Sequence, residues 1–233
     1  MNSQPGRLAV SLERGASTTA LVYSADRPAD AALILGHGAG AGQHSSFLIE
    51  FAEAIARLGV DAITFNFLYA EQRRRLPDRA PELERCYRVV IDRVREEVAA
   101  ARQALFIGGK SMGGRIATQV AATHPDLLLS GPVVLGYPLH PPGRPTERRD
   151  AHLRLVHRPM LFLQGSRDSF GGSEELAPLV RELTPACTLH VVEGGDHSFK
   201  LSRKDPARQA AVHEDLQRAI AGWIGGITQA AAL

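Results

Sequence analysis

The stretch LFIGGKSMGGRIA, Leu105 to Ala117, decides the fold, and its Gly-Lys-Ser allows two interpretations. A P-loop that binds phosphate needs a glycine five positions before the glycine that precedes its lysine, and Ala104 occupies that position. A nucleophile elbow needs only Gly-x-Ser-x-Gly on a turn from strand to helix, and Gly109 to Gly113 has this pattern. The elbow, with Ser111 as nucleophile, is therefore favoured over the P-loop. A glycine-rich turn with an incidental serine is the simpler alternative.

The composition of the 233-residue chain limits the classes of protein that it can form. A hydrophobic content of 44% supports one sizeable core, so a single domain is expected over residues 1–233. The net charge of only +2 gives no electrostatic reason to expect a nucleic-acid partner. Two arginine-rich stretches, Arg73 to Arg75 and Arg144 to Arg149, are interpreted as solvated loop charge.

The cysteines and the apolar runs indicate a compartment. Cys86 and Cys187 are far apart and have no metal-ligand spacing, and two thiols in such a chain favour a reducing environment. A single long-range disulfide is the alternative. The N-terminal MNSQPGRLAV has no apolar segment long enough for export, and no later run reaches the length of a membrane span. The sequence therefore predicts a soluble, cytoplasmic protein with no membrane partner.

Short β-branched runs alternate with longer segments of helical period, which predicts a mostly parallel sheet with helices on both faces. The eight predicted strands are Leu8 to Leu12, Thr19 to Tyr23, Ala31 to Leu35, Ala62 to Phe67, Ala104 to Ile107, Gly131 to Leu135, Met160 to Leu163 and Thr188 to Val192. A helix is predicted to end at Gly59, and the last helix is predicted from about Pro206 to Gly225-Gly226. The proline-rich segment from Tyr137 to Pro159 is expected to be an ordered loop, which leaves little chain for a lid.

Two later segments supply partners for Ser111. Asp168 follows the predicted strand in MLFLQGSRD, and His197 follows the last strand in HVVEGGDHSF. A serine, an acid and a histidine in this chain order are typical of nucleophilic catalysis on an eight-stranded sheet. There is a simpler alternative for each residue. Asp168 could be a turn former that caps the segment at Ser173, and His197 could be a surface loop histidine.

Four stretches resemble a known family: LGHGAGAGQHSSF, TFNFLY, GGKSMGGR and GYPLHPPGRP. With the elbow, they resemble the α/β-hydrolase superfamily in its small, lidless branch related to dienelactone hydrolases. Within that branch, the chain is similar to bacterial proteins related to the testis-expressed and chromatin-complex-subunit proteins of animals. The resemblance implies an α/β-hydrolase fold without a substantial lid. The dienelactone enzymes have cysteine where this chain has Ser111, so their substrate is not carried over.

Each candidate residue has an expected role. His197 would act as the base that activates Ser111, and Asp168 would orient the imidazole. The backbone N–H groups of Met112 and Ala39 are expected to form the oxyanion hole. Gly109 and Gly113 are expected because the residues two before and two after the serine are pressed together at an elbow.

The glycine-rich loop also permits a dinucleotide-binding interpretation. Gly36-x-Gly38-x-Gly40 lacks the full fingerprint, however, and no acidic residue ends the next strand. His37 and His44, on either side of this loop, are assigned structural roles and not metal ligation. Lys110 is interpreted as a neutral occupant of the elbow's variable position, and Arg115 as an anchor for a loop.

Seven side chains are candidates for the pocket wall, with simple packing as the alternative for each. They are His44, Phe47, Phe67, Tyr69, His140, Phe170 and Phe199. Together these features predict a serine hydrolase that cleaves a small-molecule ester or thioester, with no metal and no organic cofactor. A small-peptide hydrolase and a catalytically silent scaffold module remain the alternatives, and the oligomeric state stays open.

Overall fold

A computed structural model describes residues 4–27, 29–201 and 206–231, in which one eight-stranded sheet organises the chain. The strands are β1 (Gly6–Ser11), β2 (Ser17–Tyr23), β3 (Ala32–Gly36), β4 (Asp61–Phe65), β5 (Leu105–Lys110), β6 (Gly131–Leu135), β7 (Leu161–Gly165) and β8 (Thr188–Val192). Their spatial order is β1-β2-β4-β3-β5-β6-β7-β8. β2 is antiparallel to both of its neighbours, whereas β3 to β8 are parallel. The predicted mostly parallel sheet of eight strands is thus confirmed.

Helices cover both faces of the sheet, as the alternating pattern predicts. They are α1 (Ser46–Arg57), α2 (Leu68–Glu71), α3 (Ala80–Glu97), α4 (Ala99–Gln103), α5 (Met112–Thr123), α6 (Ser173–Glu182) and α7 (Pro206–Ala231). Helices α1 and α7 pack on one face through a core that includes Phe51 and Ile220. Helices α3, α5 and α6 pack on the other face, where Tyr87, Ile116 and Leu176 are buried.

Helix α7 continues past the position where the sequence predicted its end. Gly225 and Gly226 lie inside the helix, which ends at Ala231 in the described part of the chain. Neither glycine has a positive φ, so neither forms the left-handed stop that was expected. Ile227, one residue later, packs against the core and extends the apolar stripe of the helix. Packing of this stripe therefore outweighs the low helix propensity of the two glycines.

The segment between β6 and β7 packs against α5. It contains a short 3₁₀ helix, Ala151–Leu155, whose Leu153 is buried against the core, and it otherwise consists of turns.

Cys86 and Cys187 are both free thiols, so the alternative of a disulfide between them is wrong. In the described residues, every helix is too short or too polar to cross a lipid bilayer.

Candidate active site

Ser111 lies on the tight turn between β5 and α5, at the carboxyl end of the central strands. Its φ of 52° and ψ of −113° place a non-glycine residue in a region of the backbone map that is sparsely populated. A Cβ atom added to Gly109 or to Gly113 would fall on the carbonyl oxygen of Gly36 in β3. The two elbow positions therefore require glycine because they pack against the backbone of β3. From the sequence, the two residues were instead expected to be pressed against each other. Gly36 pairs with Gly109 in the sheet register and completes this close approach.

Three side chains form a continuous chain of hydrogen bonds. The Nε2 atom of His197 lies 2.8 Å from Ser111 Oγ, and its Nδ1 atom lies 2.7 Å from Asp168 Oδ2. The Asp168 side chain is completely buried, and its other oxygen accepts from the N–H of Phe170 at 2.8 Å. Asp168 thus forms a local turn and also reaches the histidine. The residues that the sequence proposed as nucleophile, base and acid are in series.

Gln164 in β7 supports the carboxylate and was not identified from the sequence. Its side chain is fully buried, and Nε2 donates to Asp168 Oδ2 at 2.9 Å and to the Gly171 carbonyl at 2.7 Å. Its Oε1 accepts from the N–H of Tyr137 at 2.7 Å. A lone amide near the end of the otherwise apolar strand LFLQG was the available signal, since a buried polar side chain needs partners.

Lys110 holds the segment that carries His197. Its Nζ donates to the His197 carbonyl at 2.5 Å and lies 5.4 Å from the centre of the Phe199 ring. Burial lowers the pKa of Lys110 from 10.5 to about 8, although the charges of Asp168 and Asp196 act in the opposite direction. The interpretation of Lys110 as a neutral occupant is therefore wrong, because its head group links the elbow to the histidine loop.

The glycine loop after β3 lies beside the nucleophile. A Cβ atom on Gly38 would be 3.7 Å from Ser111 Cβ, so the loop is in close contact with the serine. His37 is fully buried, donates from Nδ1 to the Gly38 carbonyl at 2.8 Å and accepts the Phe67 N–H at Nε2, at 3.1 Å. Burial lowers the pKa of His37, which keeps the ring neutral and able to accept. Since a peptide's C=O and N–H point in opposite directions, this bond also fixes the direction of the Ala39 N–H.

A cavity of about 800 Å³ opens at this site, within the usual size range of small-molecule pockets. Its wall includes Ser111, His197 and both residues predicted for the oxyanion hole, Ala39 and Met112. Both residues therefore lie at the same cavity as the serine, and Met112 occupies the first position of helix α5.

The predicted pocket side chains divide into three groups. Phe47 and Phe170 line the cavity, and the Phe170 ring lies 4.2 Å from the imidazole of His197, centre to centre. His44 and Tyr69 line a different cavity, next to Arg73 to Arg75. The other three are buried and are absent from the described lining of the first cavity: Phe67, His140 and Phe199. Their large rings fill the interior beneath the loops.

Two arginines also occupy places that differ from their predicted ones. Arg115 donates to Gln119 Oε1 at 3.1 Å, within its own helix, and lines the cavity rather than anchoring a loop. Arg149, assigned to solvated loop charge together with Arg144, also lines the cavity. The cavity wall is therefore more basic than the sequence suggested.

Comparisons with known proteins agree with this architecture. A family model described as an alpha/beta hydrolase domain matches residues 29–225. An alpha-beta serine hydrolase homologue from Coxiella burnetii has a TM-score of 0.73 at 16% identity, covering 94% of this chain and 99% of its own. A serine hydrolase without lid from Xanthomonas campestris has a TM-score of 0.70 at 18% identity, covering 96% of each chain.

The solved structures also include a dienelactone hydrolase from Anabaena variabilis, with a TM-score of 0.68 at 18% identity, covering 93% of this chain and 97% of that one. At such identities the likeness shows a shared fold. The family model, in contrast, matches most of the chain. The protein belongs to the α/β-hydrolase family, and its fold resembles that of the hydrolase without a lid.

Proposed function

We propose that the protein is a serine hydrolase that cleaves a carboxylic ester or thioester through an acyl-enzyme intermediate. The observation that carries this proposal is the unbroken contact from Ser111 Oγ to His197 Nε2, at 2.8 Å, and from His197 Nδ1 to Asp168 Oδ2, at 2.7 Å. With its Nδ1–H donated to the carboxylate, the imidazole presents the lone pair of Nε2 to the serine hydroxyl. This is the tautomer that a general base requires.

The reaction would proceed in two halves. In the first, Ser111 Oγ attacks the carbonyl carbon while its proton passes to His197, and the leaving alcohol or thiol departs with that proton. The serine then carries the acyl group as an ester. In the second half, His197 takes a proton from water, the hydroxide attacks the acyl carbon, and the acid is released as Ser111 regains its proton. The buried carboxylate of Asp168 stabilises the imidazolium in both halves.

The oxyanion that forms in each half would accept hydrogen bonds from the N–H groups of Met112 and Ala39. Met112 is the first residue of α5, so its N–H has no acceptor within the helix and lies at the positive end of the helix dipole. The Ala39 N–H has its direction fixed by the bond between His37 and the Gly38 carbonyl. Removing one such donor reduces kcat by about 10²- to 10³-fold in well-studied enzymes.

The two free thiols support a cytoplasmic location.

Labelling with a fluorophosphonate probe tests the nucleophile directly. We expect the native protein and Ser24→Ala, which alters an exposed serine far from the site in sequence, to be labelled, and Ser111→Ala to remain unlabelled. A panel of p-nitrophenyl esters, acyl-thioesters and aminoacyl amides then identifies the leaving group. Ser111→Ala and His197→Ala are each expected to lose on the order of 10⁴-fold or more in kcat. Absence of labelling in the native protein would overturn the proposal in favour of a silent scaffold.

A further inference from the structure

Two arginines, Arg115 and Arg149, line the cavity that contains Ser111 and His197. Arg115 is half-buried and lies about one helical turn after the nucleophile on α5. Arg149 is exposed and comes from the segment between β6 and β7. Burial lowers the pKa of the Arg115 guanidinium, and among the neighbouring charges that of Arg149 lowers it further. The two positive groups are therefore close enough to repel each other.

Within the described residues, neither guanidinium forms an ion pair with a carboxylate. The Arg115 side chain instead donates to the neutral amide of Gln119, at 3.1 Å. Three other arginines of the segment between β6 and β7 each have an acidic partner. Arg144 pairs with Glu147 at 3.3 Å, Arg148 with Asp150 at 2.5 Å, and Arg154 with Glu182 at 2.7 Å. Arg149 differs from these three in having no carboxylate partner among the described residues.

The acidic residues of the cavity wall pair with side chains other than Arg115 and Arg149. Asp78 pairs with Arg74 at 2.7 Å, and Glu50 contacts His213 at 2.8 Å. Glu84 is the carboxylate whose charge acts on Arg115, but the two form no ion pair. This part of the wall thus keeps a net positive charge.

The histidine behind the arginines does not add to that charge. His152 contacts Thr118 Oγ1 at 2.9 Å, and burial, followed by the charge of Arg115, lowers its pKa to about 4. It is therefore neutral at physiological pH. Two guanidiniums, offset in part by Glu84, match a ligand with a single negative charge better than a doubly charged one.

We propose that Arg115 and Arg149 bind a carboxylate group of the substrate, so that the ester cleaved at Ser111 carries a free acid a few bonds from its carbonyl. This inference rests on the proposed serine hydrolase function and adds a substrate class to it. The planar guanidinium group forms paired hydrogen bonds with carboxylate oxygens, and such bonds are strong where the site is partly buried. A bound carboxylate would also relieve the repulsion between the two arginines.

The kinetic test compares mono-4-nitrophenyl glutarate with its neutral distal methyl ester, which has the same reacting bond. A hydrogen bond to a charged group contributes about 1.5 to 3 kcal/mol, so we expect kcat/KM to favour the acid by about tenfold or more. Arg115→Gln and Arg149→Gln should each remove most of this preference, because they lower kcat/KM for the acid far more than for the neutral ester. Arg144→Gln, which alters an exposed and ion-paired arginine of the same segment, is the matched control. Acetyl esters of hydroxybenzoic acids carry the free acid on the leaving group. Comparing them with their neutral methyl esters tests whether the carboxylate is bound on that side of the cleaved bond.

A binding measurement without turnover separates this inference from the proposed function. Calorimetry with Ser111→Ala should show monobenzyl glutarate binding about tenfold or more tightly than benzyl methyl glutarate, and added Arg149→Gln should abolish the difference. Because Arg149 is exposed, this variant is expected to fold. Arg115-dependent binding without any esterase activity would retain the carboxylate site and reject the hydrolase. The carboxylate site alone would be rejected by two results together. The protein would hydrolyse esters with no preference for a free acid, whether on the acyl group or on the leaving group, and it would bind the two glutarates with equal affinity.

Discussion

Replacement of Gln164 by leucine tests whether the buried amide holds the acid of the candidate triad. Leucine has a similar volume, so the cavity left behind is small and the change is mainly the loss of hydrogen bonds. Two backbone groups lose their partner: the Tyr137 N–H, now bonded at 2.7 Å, and the Gly171 carbonyl, also bonded at 2.7 Å. Asp168 Oδ2 loses its amide donor but keeps His197.

The expected loss of stability follows from these orphaned groups. A buried donor or acceptor left without a partner costs about 1 to 3 kcal/mol, so two of them should lower the free energy of unfolding by about 2 to 6 kcal/mol. This is a large part of the 5 to 15 kcal/mol, roughly, that stabilises an ordinary domain. The freed carboxylate of Asp168 should also orient the imidazole less well, and kcat should fall on the order of tenfold with little change in KM.

Urea unfolding followed by fluorescence gives the stability, and ester hydrolysis well below the unfolding temperature gives the kinetic effect. The control is Gln103→Leu, an exposed glutamine at the end of α4, which should change the free energy of unfolding by no more than about 0.5 kcal/mol. If Gln164→Leu unfolds within about 1 kcal/mol of the wild type and retains full kcat, the amide does not support the site.

Three further outcomes are expected. His37→Ala removes the acceptor of the Phe67 N–H and the donor to Gly38, so kcat on an acetate ester should fall at least about tenfold, and an unchanged kcat would contradict the role of His37 in fixing the loop. The pKa of Lys110 is about 8 in the folded protein and 10.5 when unperturbed, so the unfolded chain binds more protons between these values. Wild-type stability should therefore rise relative to Lys110→Met as pH increases from 8 to 10.5, by up to about 1.4 kcal/mol per pH unit, and parallel unfolding curves across this window would count against a buried lysine. Gly113→Ala places a Cβ on the Gly36 carbonyl and should destabilise by about 1 to 3 kcal/mol, whereas Gly222→Ala, in an open helical position of α7, should not, and equal melting temperatures for the two variants would exclude the clash.

Much of the fold could be predicted from the sequence because the patterns that indicate it are local. The Gly-x-Ser-x-Gly pattern and the short apolar strands each depend on a few consecutive residues, and seven of the eight strands lie within two residues of their predicted ends at both termini. The strand before the elbow is the exception, since it runs on through Gly108 and Gly109 to Lys110. Two glycines read as turn formers, but here they allow close strand packing, with a Cβ on Gly108 falling on the Val133 carbonyl.

The parts of the site that were missed depend on contacts between distant segments. The Lys110 head group reaches the His197 carbonyl across 87 positions of sequence, and Gln164 joins β7 to the segments that follow β6 and β7. Position 110 is the variable place in the elbow pattern, so the motif alone gave that lysine no role. Arg149 was grouped with its neighbours by charge, although the fold places this residue at the cavity. Local patterns identify the reacting groups, whereas the groups that orient them are defined by tertiary contacts.

The histidine loop is held from several directions, which bears on how a hydrolase without a lid can work. The Asp196 carboxylate accepts the N–H groups of Ser198 at 2.8 Å and Lys200 at 2.9 Å, on either side of the loop tip. The Gly195 carbonyl accepts the N–H of Arg167 at 2.9 Å, which joins the histidine loop directly to the loop of Asp168. These bonds and the pairing of β7 with β8 together fix where the loop that carries His197 lies relative to Asp168. In the proposed mechanism, chemistry at Ser111 would therefore need no closing segment to assemble the proton relay, since the fold itself brings the three side chains into contact.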